Sequence, residues 1–477
     1  MKRKDLQHLN LNSTSFNTGP MSAACTVIEG IDIRQNYTAK EVEDIEPIDF
    51  AAGFAPFVRG ISSLMYVQQP WNIQLLPATH ALEAGNTSYR KQIALGQKNL
   101  LFDLSSQTTA GSLTIQTVED VKILLAQLPL AEITTTIRTN EALLPLFAMY
   151  LVAAQELGID TKHLRGNLQY DVLDFTTDSA PSLQKAILDS LVYTAQYMPH
   201  FKVLSLSNGY LKKINSTADQ EVAYSLAQGL ALVTAGIKAQ LPVDYAASQV
   251  VFSWTVGVNY FMEIAKMRAT RLLWSKLISS LEPKNEQTLA LPIQAQTQTW
   301  GTETTGDLTP TTLAATAAIF GGAQALAIAF DHPSYGEHTA LQLHKFIQEE
   351  MKATKTVDPW AGSYYVEHTT LTLAEQAWNT LKTINSADSI AHLVTQVALQ
   401  KESSQQRDTD TTSAIDPIQV QRTASIKAQR DTKKVEAALT QLSQAAANPN
   451  ANLLALAIDA AKERATTEEI QLALLSK

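Results

Sequence analysis

The sequence has a single cysteine, Cys25, and only 37 basic residues against 46 acidic ones. One cysteine forms neither an internal disulfide nor a thiolate metal cluster, which fits a reducing compartment. A net charge of −9 disfavours nucleic acid as a partner, because phosphate backbones bind basic surfaces. No stretch approaches the roughly 18 consecutive apolar residues of a membrane-spanning helix, and the basic start continues into polar residues rather than a signal peptide. We therefore expect a cytoplasmic protein that does not enter the membrane.

Several catalytic signatures are also missing. Gly321 and Gly322 lack both the spacing and the lysine of a glycine-rich phosphate loop. His332, His338 and His344 follow one another at intervals of six residues, which places them on different faces of a helix rather than around a zinc ion. No G-x-S-x-G motif indicates a serine hydrolase. The sequence predicts no metal site.

Residues 85–395 carry a repeating pattern. Short apolar or β-branched runs alternate with longer segments whose apolar residues recur every three or four positions. The predicted strands are Leu100–Leu104, Ile133–Arg138, Leu168–Leu173, Val203–Ser207, Val250–Thr255, Leu289–Gln296 and Ala325–Phe330. The predicted helices include Thr117–Leu125, Ala142–Leu157, Gln220–Ala235 and Val258–Leu281. This number of βα units favours an α/β fold of the (β/α)8 TIM-barrel type over an open doubly wound sheet, with chemistry at the carboxyl ends of the strands.

The flanking segments differ from this repeat. The predicted division is an N-terminal extended arm at 1–50, a TIM barrel at 51–395, a polar linker at 396–425 and a C-terminal helical extension or connector at 426–477. Within the extension, a helix is expected at Leu453–Lys462. A last helix should begin at Thr466, whose hydroxyl forms a capping box with Glu469.

The string VDPWAGSYYVE, residues 357–367, combines proline, glycine and three aromatic rings, which is typical of a structured turn with buried rings. Together with GFAPFVRG (53–60), MYVQQPW (65–71) and NYFMEIAKMRATRLLWSKLI (259–278), it resembles the methylmalonyl-CoA mutases, which are adenosylcobalamin-dependent isomerases. The resemblance implies a (β/α)8 barrel. In active members of the family, that barrel holds acyl-CoA along its axis, beneath a corrin bound by a separate domain.

The positions that the resemblance assigns to catalysis carry unsuitable side chains. In catalytic members one loop holds arginines and a threonine for the CoA phosphates and a tyrosine against the migrating group; here it holds Gln69, Asn72, Gln74 and Leu76. A neutral amide does not replace the bidentate, charged contact of arginine with phosphate. The family's tyrosine–histidine pair appears as Gly209 and Tyr210, and a histidine expected on a later strand is Gln294.

Other positions of the family survive, namely Asn140, Gln169, Gln296 and Gln324, and these serve barrel packing as readily as substrate binding. The family's cobalamin domain binds cobalt through the histidine of a D-x-H-x-x-G motif, which this sequence lacks. Residues 444–461 instead resemble the helical connector to that domain. The resemblance therefore implies that this chain alone binds no cofactor and that adenosylcobalamin belongs to a partner chain.

Residues 26–37, TVIEGIDIRQNY, resemble the arm of a small subunit that some family members pair with a catalytic large subunit. The leading hypothesis is thus a small, non-catalytic subunit of a heterodimeric methylmalonyl-CoA mutase, with acyl-CoA in a residual pocket as a second candidate partner. One alternative is a catalytic acyl-CoA mutase barrel that uses a separate cobalamin-binding subunit. Another is a barrel that acts as an independent regulator or binding protein.

Overall fold

The fold is known from a computed structural model. It describes residues 25–26, 31–34, 37–43, 50–77, 79–105, 112–139, 142–171, 180–213, 216–299, 308–330, 335–384, 416–446, 448 and 451–475. No helix in these ranges is both long and apolar enough to cross a membrane.

Eight parallel strands form a (β/α)8 barrel, as predicted. In chain order they are β1 (Asn72–Gln74), β2 (Asn99–Ser105), β3 (Thr134–Thr139), β4 (Arg165–Asp171), β5 (Phe201–Ser207), β6 (Val250–Val256), β7 (Ile293–Thr297) and β8 (Ala325–Ala327). Backbone hydrogen bonds join the strands in the order β1, β8, β7, β6, β5, β4, β3, β2. A short strand at Leu113–Thr114 pairs with the end of β2. Across the remaining seam, the Asn99 amide donates to Asn72 Oδ1 at 2.9 Å.

Helices cover the outside of this barrel and continue beyond it. They are α1 (Leu82–Ala94), α2 (Val118–Leu125), α3 (Leu143–Glu156), α4 (Ala180–Tyr197), α5 (Ala218–Lys238), α6 (Tyr260–Ser279), α7 (Thr309–Phe320), α8 (Glu337–Lys345), α9 (Tyr364–Ile384), α10 (Pro417–Gln429), α11 (Thr432–Ala446), α12 (Leu453–Lys462) and α13 (Thr467–Leu475). Shorter helices lie at Met65–Gln68, Gly209–Lys213 and Val243–Ser248.

Three of the predicted strands need correction. The strand predicted at Leu168–Leu173 begins earlier, at Arg165, because residues 165–167 pair with the start of β3. The strand predicted at Leu289–Gln296 begins only at Ile293, because Glu286–Leu289 forms a 3-10 turn in which the Asn285 side chain accepts from Gln287 N. The strand predicted at Ala325–Phe330 is shorter and ends at Ala327. The first barrel strand, β1, was not predicted, because it is short and its two outer residues are polar.

The C-terminal helices pack against one side of the barrel. Helix α3 is buried from Leu143 to Ala154 on all its faces, since α12 and α13 cover the side turned away from the strands. The start of α13 is fixed by Thr467, whose N–H donates to Gln116 O and whose hydroxyl donates to Ile115 O, both at 2.9 Å. Helix α10 begins within the range predicted as a polar linker.

The VDPWAGSYYVE string joins several segments of the chain, as its architectural interpretation predicts. The prediction of buried rings is wrong, because Tyr364 is 43% exposed and Trp360 and Tyr365 are only partly buried. Asp358 Oδ2 accepts hydrogen bonds from Arg59 at 3.1 Å and from Arg268 at 2.5 Å. Glu367 Oε1 accepts from Arg268 at 2.7 Å and from Gly362 N at 2.9 Å. The turn thereby ties the loop before β1 to the buried face of α6.

Thr466 makes the capping box predicted from the sequence. Its N–H donates to Glu469 Oε2 at 2.8 Å, and Glu469 N donates to the Thr466 hydroxyl at 3.3 Å. We expect Thr466→Ala to lower the free energy of unfolding by about 1 kcal/mol, the usual loss for an N-cap. Urea denaturation measures this, with Thr440→Ala on exposed α11 as the control that should change little. Equal losses in the two variants would contradict a capping contribution.

Candidate ligand cavity in the barrel

A cavity of about 490 Å³ lies inside the barrel at the amino ends of the strands. Its lining comes from the first residues of the strands and the segments just before them: Asn72, Gln74, Asn99, Thr134, Thr136, Arg165, Gly166, Asn167, Pro199, His200, Lys202, Ser248, Gln249, Val251, Pro292, Gln294, Gln324 and Ala325. Most of these side chains are polar. Barrels of this type are normally filled by bulky branched side chains, so a polar lining leaves space that a ligand can use.

The inner wall of the cavity is held by amide and hydroxyl groups. Gln74 Nε2 donates to Thr136 Oγ1 at 3.0 Å, and Asn167 Nδ2 donates to the same oxygen at 3.2 Å. Asn167 and Gln294 are 6% and 9% exposed. Within the described part of the chain, neither Asn167 Oδ1 nor Gln294 Oε1 accepts a hydrogen bond. Both oxygens have almost no accessible surface, so they are buried acceptors inside the barrel wall rather than groups exposed to the cavity.

The next layer toward the carboxyl ends is closed by the chain itself. Arg138 on β3 donates from Nε to Asp103 Oδ1 at 3.0 Å and from Nη1 to Gln296 Oε1 on β7. Strands β3 and β7 are four places apart around the ring, so this contact spans the barrel axis. Burial alone would lower the pKa of Arg138, but the adjacent Asp103 carboxylate raises it above its ordinary value, so the guanidinium stays charged.

The same layer uses Gln169 in a second cross-link, in which Nε2 donates to Ser253 Oγ at 3.0 Å. None of these layer-forming side chains lines the cavity below. Among the described residues, this cavity thus ends beneath Arg138. The residues that close it belong to strands far apart in the sequence.

Comparison with known proteins decides the family. The sequence profile described as methylmalonyl-CoA mutase matches residues 26–416 and 400–477, which together span nearly the whole chain. The chain belongs to the methylmalonyl-CoA mutase family. It is 33% identical to the methylmalonyl-CoA mutase large subunit of Streptomyces virginiae, over 94% of this chain and 70% of that protein.

Other relatives within the methylmalonyl-CoA mutase family give similar values. The large subunit from Porphyromonas gingivalis is 32% identical over 93% of this chain and 70% of its own length. The mitochondrial methylmalonyl-CoA mutase of Mus musculus is 32% identical over 94% of this chain and 68% of its own length. These relatives are longer than the present chain, and the shared part contains the barrel.

The structure brings together four of the site residues predicted from the family resemblance, because Asn72, Gln74, Gln294 and Gln324 line one cavity. The side-chain amide of Gln324 already bonds to the main chain, since its oxygen accepts from Ile293 N at 2.7 Å and its nitrogen donates to Gly322 O at 2.8 Å. Gln169 and Gln296 lie in the closed layer above. Gln69 is exposed and Leu76 half-buried, and neither lines the cavity.

Two further predicted positions carry less information. Asn140 lies outside the described residues, and Tyr210 lies in the helix Gly209–Lys213 with a side chain that is not described. Sequence reasoning missed Arg138, Asn167 and Lys202. Their signal was the alternation of polar residues along strands, which marks the inward face of a barrel.

No group of His, Cys, Asp and Glu side chains among the described residues is arranged to hold a metal ion. Of the three histidines at six-residue intervals, His344 is fully buried and accepts from Trp71 Nε1 at 3.0 Å, His338 is exposed, and His332 lies outside the described residues. His344 does not fit the lower ligand of a cobalamin, because its ring is fully buried and bonded to Trp71.

Proposed function

We propose that this chain is the small, non-catalytic subunit of a cytoplasmic, heterodimeric methylmalonyl-CoA mutase. The observation that carries the proposal is the layer formed by Arg138, Asp103 and Gln296 across the barrel axis. An acyl group that reacts inside a barrel needs a dry pocket with donors aimed at the developing charge. Here the hydrogen bond from Arg138 to Gln296 crosses the axis, and the ion pair with Asp103 on the neighbouring strand holds Arg138 in place.

The contacts of the remaining family positions support this proposal. Gln74 is bonded to Thr136, and Asn72 to Asn99, so both amides hold the barrel together. Leu76 offers no hydrogen bond through its side chain. A changed acyl group would not explain these substitutions, because the CoA phosphates that arginine would bind are common to all acyl-CoA substrates.

The partner in this proposal is a catalytic large subunit, which supplies adenosylcobalamin and the reacting groups for exchange of methylmalonyl-CoA and succinyl-CoA. An obligate pair of this kind should bury more than about 2,000 Å². The role of the present chain is then to hold the catalytic subunit in its working assembly.

The test is isomerisation of methylmalonyl-CoA by the purified chain, alone and mixed with a catalytic large subunit. We expect no turnover by the chain alone and a stable, active complex in the mixture, seen by size-exclusion chromatography with light scattering. Turnover by the chain plus a small cobalamin-binding protein would instead establish the working-barrel alternative. Absence of a complex with any catalytic subunit would favour an independent binding protein.

A substitution separates the first two outcomes further. Leu76→Ala should leave turnover of the mixed complex within about twofold, because this barrel does not contact the reacting groups. If the barrel were catalytic, loss of a side chain at that position should reduce kcat by tenfold or more, since misplaced substrates lose rate steeply. Circular dichroism of the variant confirms that it is folded.

A further inference from the structure

Exposed apolar side chains gather on one part of the barrel's amino-end face, where each helix ends and the next strand begins. Leu95 directly follows α1, Leu157 follows α3, and Tyr197 is the last residue of α4. Phe346 directly follows α8. All four are exposed, from 39% for Leu157 to 67% for Leu95. We call these four residues the apolar arc, because α8, α1, α2, α3 and α4 are consecutive around one half of the ring.

The other half of the same face is polar. The exposed residues at and just after the ends of α5 and α6 are Lys238, Gln240, Ser279, Ser280 and Glu282. Both halves consist of helix ends and the connections to the next strand, so the local fold does not explain the difference. Exposed apolar side chains that share one part of a surface mark a contact with another protein.

The helix ends do not require the leucines of the apolar arc. Helices α1 and α3 both end in a Leu-Gly pair, and Gly96 and Gly158 adopt the left-handed conformation that closes a helix, with φ of 88° and 81°. Leu95 and Leu157 precede these glycines, at positions where a polar side chain would close the helix equally well. The caps therefore do not account for exposed leucine at either position.

Basic side chains lie inside the arc, at the starts of the strands. Lys98 immediately precedes β2, Arg165 begins β4, and both are exposed. In the described part of the chain, no carboxylate lies within ion-pair distance of either residue, whereas Asp160 in the same region pairs with Lys162 at 2.8 Å. Positive charge beside an apolar arc is complementary to a surface that carries carboxylates among apolar side chains.

We propose that the apolar arc, together with Lys98 and Arg165, binds the catalytic large subunit, and that the large subunit contributes carboxylates to this contact. The inference rests on the proposed function and names the surface through which it operates. A second copy of the chain fits less well, because two identical faces would bring like charges together. Five neighbouring helices with axes about 8–10 Å apart span roughly 30–40 Å. A surface of that breadth supplies the roughly 1,000 Å² that each member of an obligate pair buries.

Binding of the full chain to a purified large subunit, measured by biolayer interferometry, tests this surface. The variant Leu95→Glu/Tyr197→Glu removes two apolar contacts and adds charge that the partner's carboxylates repel. We expect it to weaken the complex at least tenfold, because a few apolar and aromatic anchors carry most of the energy of an interface. Since both side chains are exposed, the circular dichroism of the variant should match that of the parent.

The matched control is Ile418→Glu/Val420→Glu on α10, where the two side chains are 64% and 50% exposed. The start of α10 lies at the opposite end of the barrel, because Gln419 Nε2 donates to Thr114 O at 2.8 Å beside the carboxyl end of β2. This variant gains the same charge and should bind as the parent does. Equal affinity of the two double variants would overturn the proposed surface.

The charged part of the surface is tested by association rates. Lys98→Gln/Arg165→Gln should slow association by about threefold or more and reduce its dependence on salt, since complementary charge acts mainly on the association rate. Lys433→Gln/Lys434→Gln on exposed α11 is the charge-matched control and should leave the rate unchanged. Equal association rates of these two variants would overturn the role of Lys98 and Arg165.

The outcomes separate this inference from the proposed function. If the parent forms an active complex and Leu95→Glu/Tyr197→Glu binds equally well, the proposed function stands and the surface is wrong. If the parent forms no complex, the proposed function fails and the surface fails with it. A dimer of the chain alone that is lost in Leu95→Glu/Tyr197→Glu would assign the face to a second copy and overturn the partner named here.

Discussion

Replacement of Lys266 by methionine is expected to lower the free energy of unfolding by about 3 to 5 kcal/mol, the usual loss when one partner of a buried ion pair is removed. Lys266 is 1% exposed. Its ammonium contacts Glu221 Oε2 and Glu263 Oε2, each at 2.6 Å, and lies 4.9 Å from the ring centre of Trp254. Methionine fills a similar volume but leaves two buried carboxylates with only Lys212 nearby.

The loss of stability in acid should also depend on the cluster formed by Glu221, Glu263, Lys266 and Lys212. Burial alone would raise the pKa of Glu263, but Lys266 and Lys212 lower it to about 2. A carboxyl whose pKa is depressed in the folded state contributes stability above its unfolded value, and this stability is lost as pH falls from about 4.3 toward 2. Lys266→Met removes the main cause of the depression, so the variant should lose less additional stability over that range.

Urea denaturation at pH 7 and pH 3 measures both effects, with Lys238→Met at the exposed end of α5 as the matched control. The control should change stability by no more than about 0.5 kcal/mol, as is usual for surface substitutions. A Lys266→Met protein as stable as the control would show that the two glutamates are protonated in the folded state. The ion-pair account of α5 and α6 would then be wrong.

The second large effect is a loss of stability in mild acid that comes from His344. This side chain is fully buried and accepts a hydrogen bond from Trp71 Nε1 at 3.0 Å, which requires a neutral ring. Burial lowers the pKa of His344 to about 3. In the unfolded chain the histidine binds a proton below about pH 6.5, so the free energy of unfolding should fall by about 2 kcal/mol as pH falls from 6.5 to 4.5.

His344→Gln separates this contribution from other groups, because an amide oxygen also accepts from Trp71 Nε1 and does not titrate. We expect the variant to show an unfolding free energy that is nearly constant between pH 6.5 and 4.5. His338→Gln, on the exposed side of the same helix, should retain the parent's pH dependence. If the parent itself is flat over this range, His344 is protonated in the fold and the burial argument fails.

Local signals explain which elements were predictable. The helix at Leu453–Lys462 and the capping box at Thr466 depend on neighbouring residues, and both are found as predicted. The start of β7 was missed by four residues, because nothing in the apolar run itself distinguishes a 3-10 turn from a strand. Strand β1 is extended because its backbone pairs with β8, a contact about 250 residues away in the sequence.

The candidate site was predictable only where a family position could be compared. Gln74 and Gln294 were found in that way. The closed layer was not predicted, because the role of Arg138 depends on its contacts with Asp103 and Gln296 on other strands. Lys202 was missed for the same reason. Its neighbours in the sequence do not distinguish it from a surface lysine, and only its pairing with Asn167 places it inside the barrel.

The covering of α3 by α12 also has a consequence for how the protein is made. Helix α3 is apolar around its whole circumference, and one side of it faces water until a segment roughly 300 residues further along the chain arrives. During synthesis the barrel strands emerge long before that segment does. An exposed apolar surface must therefore persist on the nascent chain. We expect newly made protein to need chaperone protection until residues 453–475 have left the ribosome.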